Sequence, residues 1–158
     1  MNAGADVATG ELLFFLHVDS VLPDDWLNIL MQFWHSDRKW GRFNVRLSGD
    51  HYWFRVIEFM MNHRSRLTGI ATGDQGIFVR TATFHQSGGF MPIPLMEDIE
   101  FSKRLKRKSL PFCVMQVLTT SSRRWERNGI ISTILLMWRL RLSYFLGVSP
   151  EKLARMYR

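Results

Sequence analysis

Gly88-Gly89-Phe90-Met91-Pro92-Ile93-Pro94-Leu95-Met96-Glu97-Asp98-Ile99-Glu100-Phe101-Ser102-Lys103-Arg104-Leu105 is the stretch from which the rest of the chain can be read. Two adjacent glycines let the backbone turn where a side chain would clash. Pro92 and Pro94 keep the next residues extended and delay any helix. From Glu97 the pattern becomes helical, with Ile99 and Leu105 directed to the core. Acids stand in the first turn, and Lys103, Arg104, Lys106, Arg107 and Lys108 crowd the far end, in the order that suits the helix dipole. Two readings fit: a well-capped helix, or a helix start that presents the carboxylates of Glu97 and Asp98 to a cleft.

The composition sets the frame. A chain of 158 residues, 46% hydrophobic, forms one domain with a substantial core. No apolar run is long enough to span a bilayer, and the first residues lack a signal-peptide pattern. The single cysteine, Cys113, lies in the apolar run Phe112-Cys113-Val114-Met115 and reads as a small core residue. A reducing, cytoplasmic location fits. The net charge of +7 divides unevenly: −4 over residues 1–102 and +11 over residues 103–158. Such asymmetry points to a phosphate-bearing partner, whether nucleotide, anionic lipid headgroup or nucleic acid. Zinc-finger spacing, an RNA-binding signature and a helix-turn-helix pattern are all missing, which sets nucleic acid aside.

Leu12-Leu13-Phe14-Phe15-Leu16 is a continuous apolar run that reads as a strand buried on both faces, ending in His17-Val18-Asp19. Ligands of open α/β sheets bind beyond such strand ends, which places Asp19 at a binding position; a turn or cap before the next helix is its other reading. Pro23-Asp24-Asp25 opens that helix, and Trp26, Ile29, Leu30, Phe33 and Trp34 share its apolar face. Residues 41–48 alternate, with Phe43, Val45 and Leu47 one way and Arg42, Asn44 and Arg46 the other, as a half-exposed antiparallel strand would. Helical spacing returns over residues 51–62. His51, His63 and His85 have no matching ligand cluster and read as surface or hydrogen-bonded residues. Gly73-Asp74-Gln75-Gly76 precedes a short strand, Ile77–Arg80; Asp74 or Gln75 can bond sugar hydroxyls, or the segment is an Asx-type turn. Residues 111–118 read as a second buried strand. It leads to Ser121-Ser122-Arg123-Arg124-Trp125, where paired arginines can bind a diphosphate and Trp125 can stack on a ring, the other reading being a solvated charge run. Residues 129–147 form an apolar helix interrupted by arginines, either lying in a membrane interface or, as preferred here, packing on the sheet or a partner. A short basic helix capped by Ser149 closes the chain.

The Gly-Gly-Phe turn before Glu97-Asp98 resembles the acceptor-side motif of family 2 glycosyltransferases of the GT-A fold. The chain as a whole is most similar to the subfamily named for its association with radical-SAM and selenodomain proteins, in which Gly73-Asp74-Gln75-Gly76 is the second specific mark. The resemblance implies an α/β, three-layer GT-A domain with a mostly parallel sheet and one antiparallel element. Asn2-Ala3-Gly4 and Ala8-Thr9-Gly10 match segments that in the family lead into the central strand from well inside the chain. An N-terminally truncated domain is therefore expected, with a partial core over 1–129 and an amphipathic helical segment over 130–158.

The implied chemistry is inverting transfer of a sugar from a nucleotide-sugar donor to an acceptor hydroxyl, with Asp98 as general base and Glu97 beside it. Asp19, at the family's Asp-x-Asp position with His17 in place of the first aspartate, would help hold a divalent cation, Mg²⁺ or Mn²⁺, on the donor diphosphate. Asp74, Gln75, Arg123, Arg124 and Trp125 are the implied donor or substrate contacts. Ser121 stands where processive relatives carry glutamine, which argues against processive synthesis. A membrane surface, on its inner face, is the expected further partner. The rival reading is an inactive remnant that binds anionic lipid or protein through its basic C-terminal half.

Overall fold

The computed structural model describes residues 1–157. Among them the elements run α1 (Asn2–Val7), β1 (Leu12–Phe15), α2 (Trp26–Trp34), β2 (Trp40–Leu47), α3 (Tyr52–Thr68), a 3-10 turn (Gly73–Gln75), β3 (Ile77–Arg80), α4 (Thr81–Gln86), α5 (Glu97–Lys108), β4 (Phe112–Thr120), α6 (Arg123–Asn128), α7 (Ile130–Phe145) and α8 (Pro150–Tyr157). The strands form one mixed sheet in the order β1-β3-β2-β4. β3 is antiparallel to both β1 and β2, and β2 is parallel to β4. Three strands thus point one way and one is reversed, as a GT-A-like α/β domain allows.

Period-2 alternation gives the sheet apolar groups on both faces. Ile77 and Val79 of β3 join Leu13, Trp40, Phe84, Phe101 and Leu105 in one cluster, which α1, α4 and α5 cover. Phe78, between them, joins Ile29 and Phe33 of α2 on the other face. A further cluster ties α3 to Leu47, and a fourth seats α7 and α8 against Ile70, Met96 and Ile99.

Several expectations are corrected. The Leu12–Leu16 run is an edge strand: only Leu13 is buried, and Leu16 lies beyond the strand, exposed. A continuous apolar run marks burial between neighbours, yet here β1 pairs on one side only. The residues 41–48 segment is the reverse, an interior strand in which Trp40 to Phe43 are all buried. The reversed strand is β3, and β2 is antiparallel only to it, over residues 40–42.

Arg42, expected outside, is fully buried because α3 lies across its side of the strand. Its guanidinium donates to the carbonyls of Phe43 and Asn62 at 3.2 Å each and to the Asn44 side chain. Burial holds Arg42 below the ordinary arginine range.

The residues 111–118 strand is the other edge. Between the Arg42–Cys113 and Asn44–Val117 pairs β4 carries two more residues than β2, an irregularity that leaves Met115 and Gln116 facing solvent. Cys113 is half-buried on that edge, not in the core.

β3 is short, so β2 runs on past it with an unpaired backbone. α3 completes this edge with side chains. Asn62 accepts from the N–H of Val45 at 2.8 Å and donates to its carbonyl at 2.9 Å, and Glu58 accepts from the N–H of Leu47 at 2.6 Å. These bonds fix α3 against the sheet and, through it, the Gly73 turn.

A candidate active site beside the start of α5

The Gly-Gly turn forms as its sequence predicts, with Gly88 and Gly89 at φ of 74° and 63°. Asn2 of α1 clamps it, accepting from the N–H of Phe90 at 2.9 Å and donating to the Phe90 carbonyl at 2.8 Å. From Arg104 of α5 the guanidinium reaches back to the carbonyls of Ser87 and Gly89 while paired with Glu100. The loop then passes Met96, the one non-glycine at positive φ (69°) among the described residues, immediately before Glu97. Its side chain is buried with Ile99, Ile70, Leu140 and Leu153, and this packing holds a backbone conformation that costs of order 1 kcal/mol or more.

Glu97 and Asp98 consequently line a cavity of about 540 Å³, together with His17, Asp74, Arg141 and Tyr157. It opens along β1, beyond whose carboxyl end His17 and Asp19 lie, and α7 and α8 wall its other side. Asp98 Oδ2 accepts from the backbone N–H of Gly73 at 2.8 Å, and Oδ1 from the N–H of Ile99 at 2.7 Å. A carboxylate has about four acceptor positions, so both oxygens keep lone pairs for a further partner.

Gly73 is needed by close approach. A Cβ there would sit 2.5 Å from His17 Nε2, so the imidazole points its Nε2 edge at the turn that carries Asp74. Asp74 is exposed to the open cavity, with the cavity's walls packed around its carboxyl. That enclosure pushes its carboxyl above the ordinary aspartate range; His17 opposes the shift, and Asp98 and Asp19 add to it. Asp19 occupies an exposed turn closed by the Ser20 N–H bonding the His17 carbonyl at 3.1 Å, within electrostatic reach of Asp74.

The cavity thus gathers Glu97, Asp98, Asp74 and His17, with Asp19 at its mouth. Gln75 is not among them. It is fully buried, its Oε1 accepting from Thr72 N–H at 3.2 Å and its Nε2 facing Asn62 at 3.4 Å, so it braces the turn against α3. Arg123 is exposed on α6. Arg124 hydrogen-bonds the Tyr157 hydroxyl and lies 4.0 Å over its ring, joining the cavity's rim only through that tyrosine. Trp125 is half-buried, packed against the cluster of Leu47, Phe54 and Ile57, and does not line the cavity. Among the described residues no three His, Cys, Asp or Glu side chains gather as a metal site.

Two arginines escaped the sequence reading. Arg141 of α7 lines the cavity; burial lowers its pKa while Asp98 and Asp74 oppose the shift. Arg64 of α3 stands behind it, held down to about 10 by burial and by the Arg141 charge, and still protonated at neutral pH. Its Nε and Nη2 are buried without a protein partner. The signal for Arg141 was spacing. Met137, Leu140, Arg141 and Tyr144 recur at i, i+3, i+4 and i+7, so an arginine falls on the packed stripe of the helix.

An open α/β sheet with an acid-lined cavity beyond a strand's carboxyl end defines a ligand-binding α/β domain of the enzyme type. The chain belongs to glycosyl transferase family 2, whose family model matches residues 1–88, a little over half its length. The Glu97-Asp98 helix lies beyond the matched segment. No curated protein and no solved structure matches the chain. Family membership makes glycosyl transfer the general activity, with a nucleotide-sugar donor and an acceptor as substrates.

Proposed function

We propose that the protein transfers a sugar from a nucleoside-diphosphate donor to an acceptor hydroxyl with inversion, and that Asp98 is the general base. The observation that carries this is the placement of Asp98. Two backbone N–H groups orient its carboxylate at the head of α5, and it still faces the cavity. In the reaction the acceptor oxygen attacks the anomeric carbon and the bond to the diphosphate oxygen breaks. The diphosphate departs with the bonding electrons, and the acceptor proton passes to Asp98. Arg141, on the α7 wall, supplies positive charge to a cavity whose other charged lining groups are the carboxylates of Asp74, Glu97 and Asp98. Glu97 flanks Asp98, and Asp74, which lines the same cavity, would bond sugar hydroxyls. Arg124, stacked on Tyr157, can steady the diphosphate at the rim.

A divalent cation fits the donor set in one way. Fewer than three protein ligands converge, and Asp19 offers an exposed carboxylate with His17 beside it. Mg²⁺ or Mn²⁺ would take the remaining oxygens from diphosphate and water. When bound, it would neutralise charge on the leaving diphosphate. The nearer kinship to the radical-SAM and selenodomain-associated subfamily is supported by Gly73–Gly76 and by the Gly-Gly-Phe turn before Glu97-Asp98. The family match favours a transferase over an inactive remnant.

The test is thermal unfolding of the full chain against a panel of nucleoside diphosphates, with and without Mg²⁺ or Mn²⁺. A ligand that binds only the native state raises Tm. The reading expects a metal-dependent rise with one nucleotide, and a folded chain that responds to none of them would overturn it.

A further inference from the structure

α7 has two apolar faces, and only one of them is packed. Leu140 is buried, and Leu136, Met137 and Tyr144 pack with it against α8 and the start of α5. Ile131, Leu135, Trp138, Leu142 and Phe145 recur at intervals of four, three, four and three on the other face, and each is more than half exposed, as is Leu146 beyond them. A single exposed apolar residue needs no explanation, but an uninterrupted stripe along a sixteen-residue helix does.

The charges around this stripe identify what covers it. α7 carries no acid, and Arg139 lies next to Trp138 on the exposed side. Lys103 of α5 holds its ammonium 4.6 Å from the Phe145 ring at the helix's end. α6 adds exposed Arg123 and Arg127 before its start, and α8 adds exposed Lys152 and Arg155. The acids on these two helices are Glu126, which accepts from Ser122 at 2.7 Å, and Glu151. The four-three spacing is also that of a coiled-coil seam. A second copy would bring Arg139 and its neighbours against their own like charges, with no acid on α7 to answer them. An apolar stripe with a central tryptophan, flanked by cations, is matched by an anionic bilayer surface, into which the side chains insert while the cations meet phosphate headgroups. At 16 residues α7 would lie in the interface, and among the described residues no helix is long and apolar enough to cross a membrane.

We propose that the outer face of α7 is a docking surface for an anionic lipid bilayer. The opposite face of the same helix presents Met137, Leu140 and Arg141 to the cavity, so docking would hold that cavity at the membrane surface. The proposal does not depend on the transfer chemistry.

The full chain should be sedimented with vesicles of phosphatidylcholine alone and of phosphatidylcholine mixed with phosphatidylglycerol, and its mass measured by light scattering without lipid. The expected result is binding that is about tenfold tighter to the anionic vesicles and weakened by salt. The double variant Leu135→Glu/Leu142→Glu should lose it by at least about tenfold. Both positions are exposed, so circular dichroism should show the variant folded; if it is not, Trp138→Ser alone carries the same expectation in weaker form. Equal binding to both vesicles, no binding, or a lipid-indifferent dimer dissolved by the double variant would each overturn the proposal.

Discussion

The backbone N–H of Gly73 donates to the carboxylate of Asp98 at 2.8 Å, joining two turns 25 residues apart in the chain. Through this bond the Gly73–Gly76 turn and the head of α5 become one wall of the cavity. Because His17 rests on the same glycine, the two turns and the end of β1 are positioned together.

Gly73→Ala separates positioning from stability. The new Cβ would meet His17 Nε2 at 2.5 Å, but His17 is exposed and can swing aside. Stability should fall by less than about 1 kcal/mol in urea unfolding, since no core group is disturbed. Nucleotide-dependent stabilisation should weaken, because the imidazole no longer lies beside Asp74. A large loss of stability with unchanged nucleotide response would show that the glycine serves the fold alone.

Asn62→Ala removes both side-chain bonds to Val45 at the unpaired edge of β2. Leaving a partly buried N–H and carbonyl without partners should cost about 2–3 kcal/mol. Asn62→Asp retains the acceptor for the Val45 N–H and loses the donor, so an intermediate loss is expected. Urea denaturation of the three proteins gives the order directly.

Asp74 predicts a pH dependence of stability. Its carboxyl is raised in the folded protein by the enclosing walls, so folding favours its protonated form. The associated stability is fully present below the unfolded value of about 3.9 and is lost as pH rises through the folded value. Ionised Asp74 therefore opposes folding at neutral pH. Asp74→Asn should raise Tm at pH 7, and the gain over wild type should shrink towards zero near pH 4. A gain independent of pH would remove ionisation as its cause.

How much of this was legible in the sequence depended on how local the signal was. The start of α5 was readable because prolines, acids and bases lie within a few residues of it and dictate where the helix begins. The Ile77–Arg80 strand was equally plain, but its reversed direction was not, since direction follows from which neighbours it pairs with. Arg42 read as exposed on simple alternation and is buried, because only the fold brings Asn62 across that face. Gln75 read as a ligand contact and is a brace, for the same reason. α7 was legible as a helix. Its two apolar faces could not be ranked until α8 and Ile99 were seen packed on one of them, which put Arg141 at the cavity.

The most direct measurement is release of nucleoside diphosphate from a panel of nucleotide sugars, with candidate acceptors, by wild type, Asp98→Asn and Asp98→Glu. Asn keeps an oxygen for the Gly73 N–H but cannot take a proton. The account predicts a kcat lowered by about 10²–10⁴ for Asp98→Asn, with Tm and donor affinity little changed, and partial activity in Asp98→Glu. Full turnover by Asp98→Asn with a donor that wild type uses would contradict it.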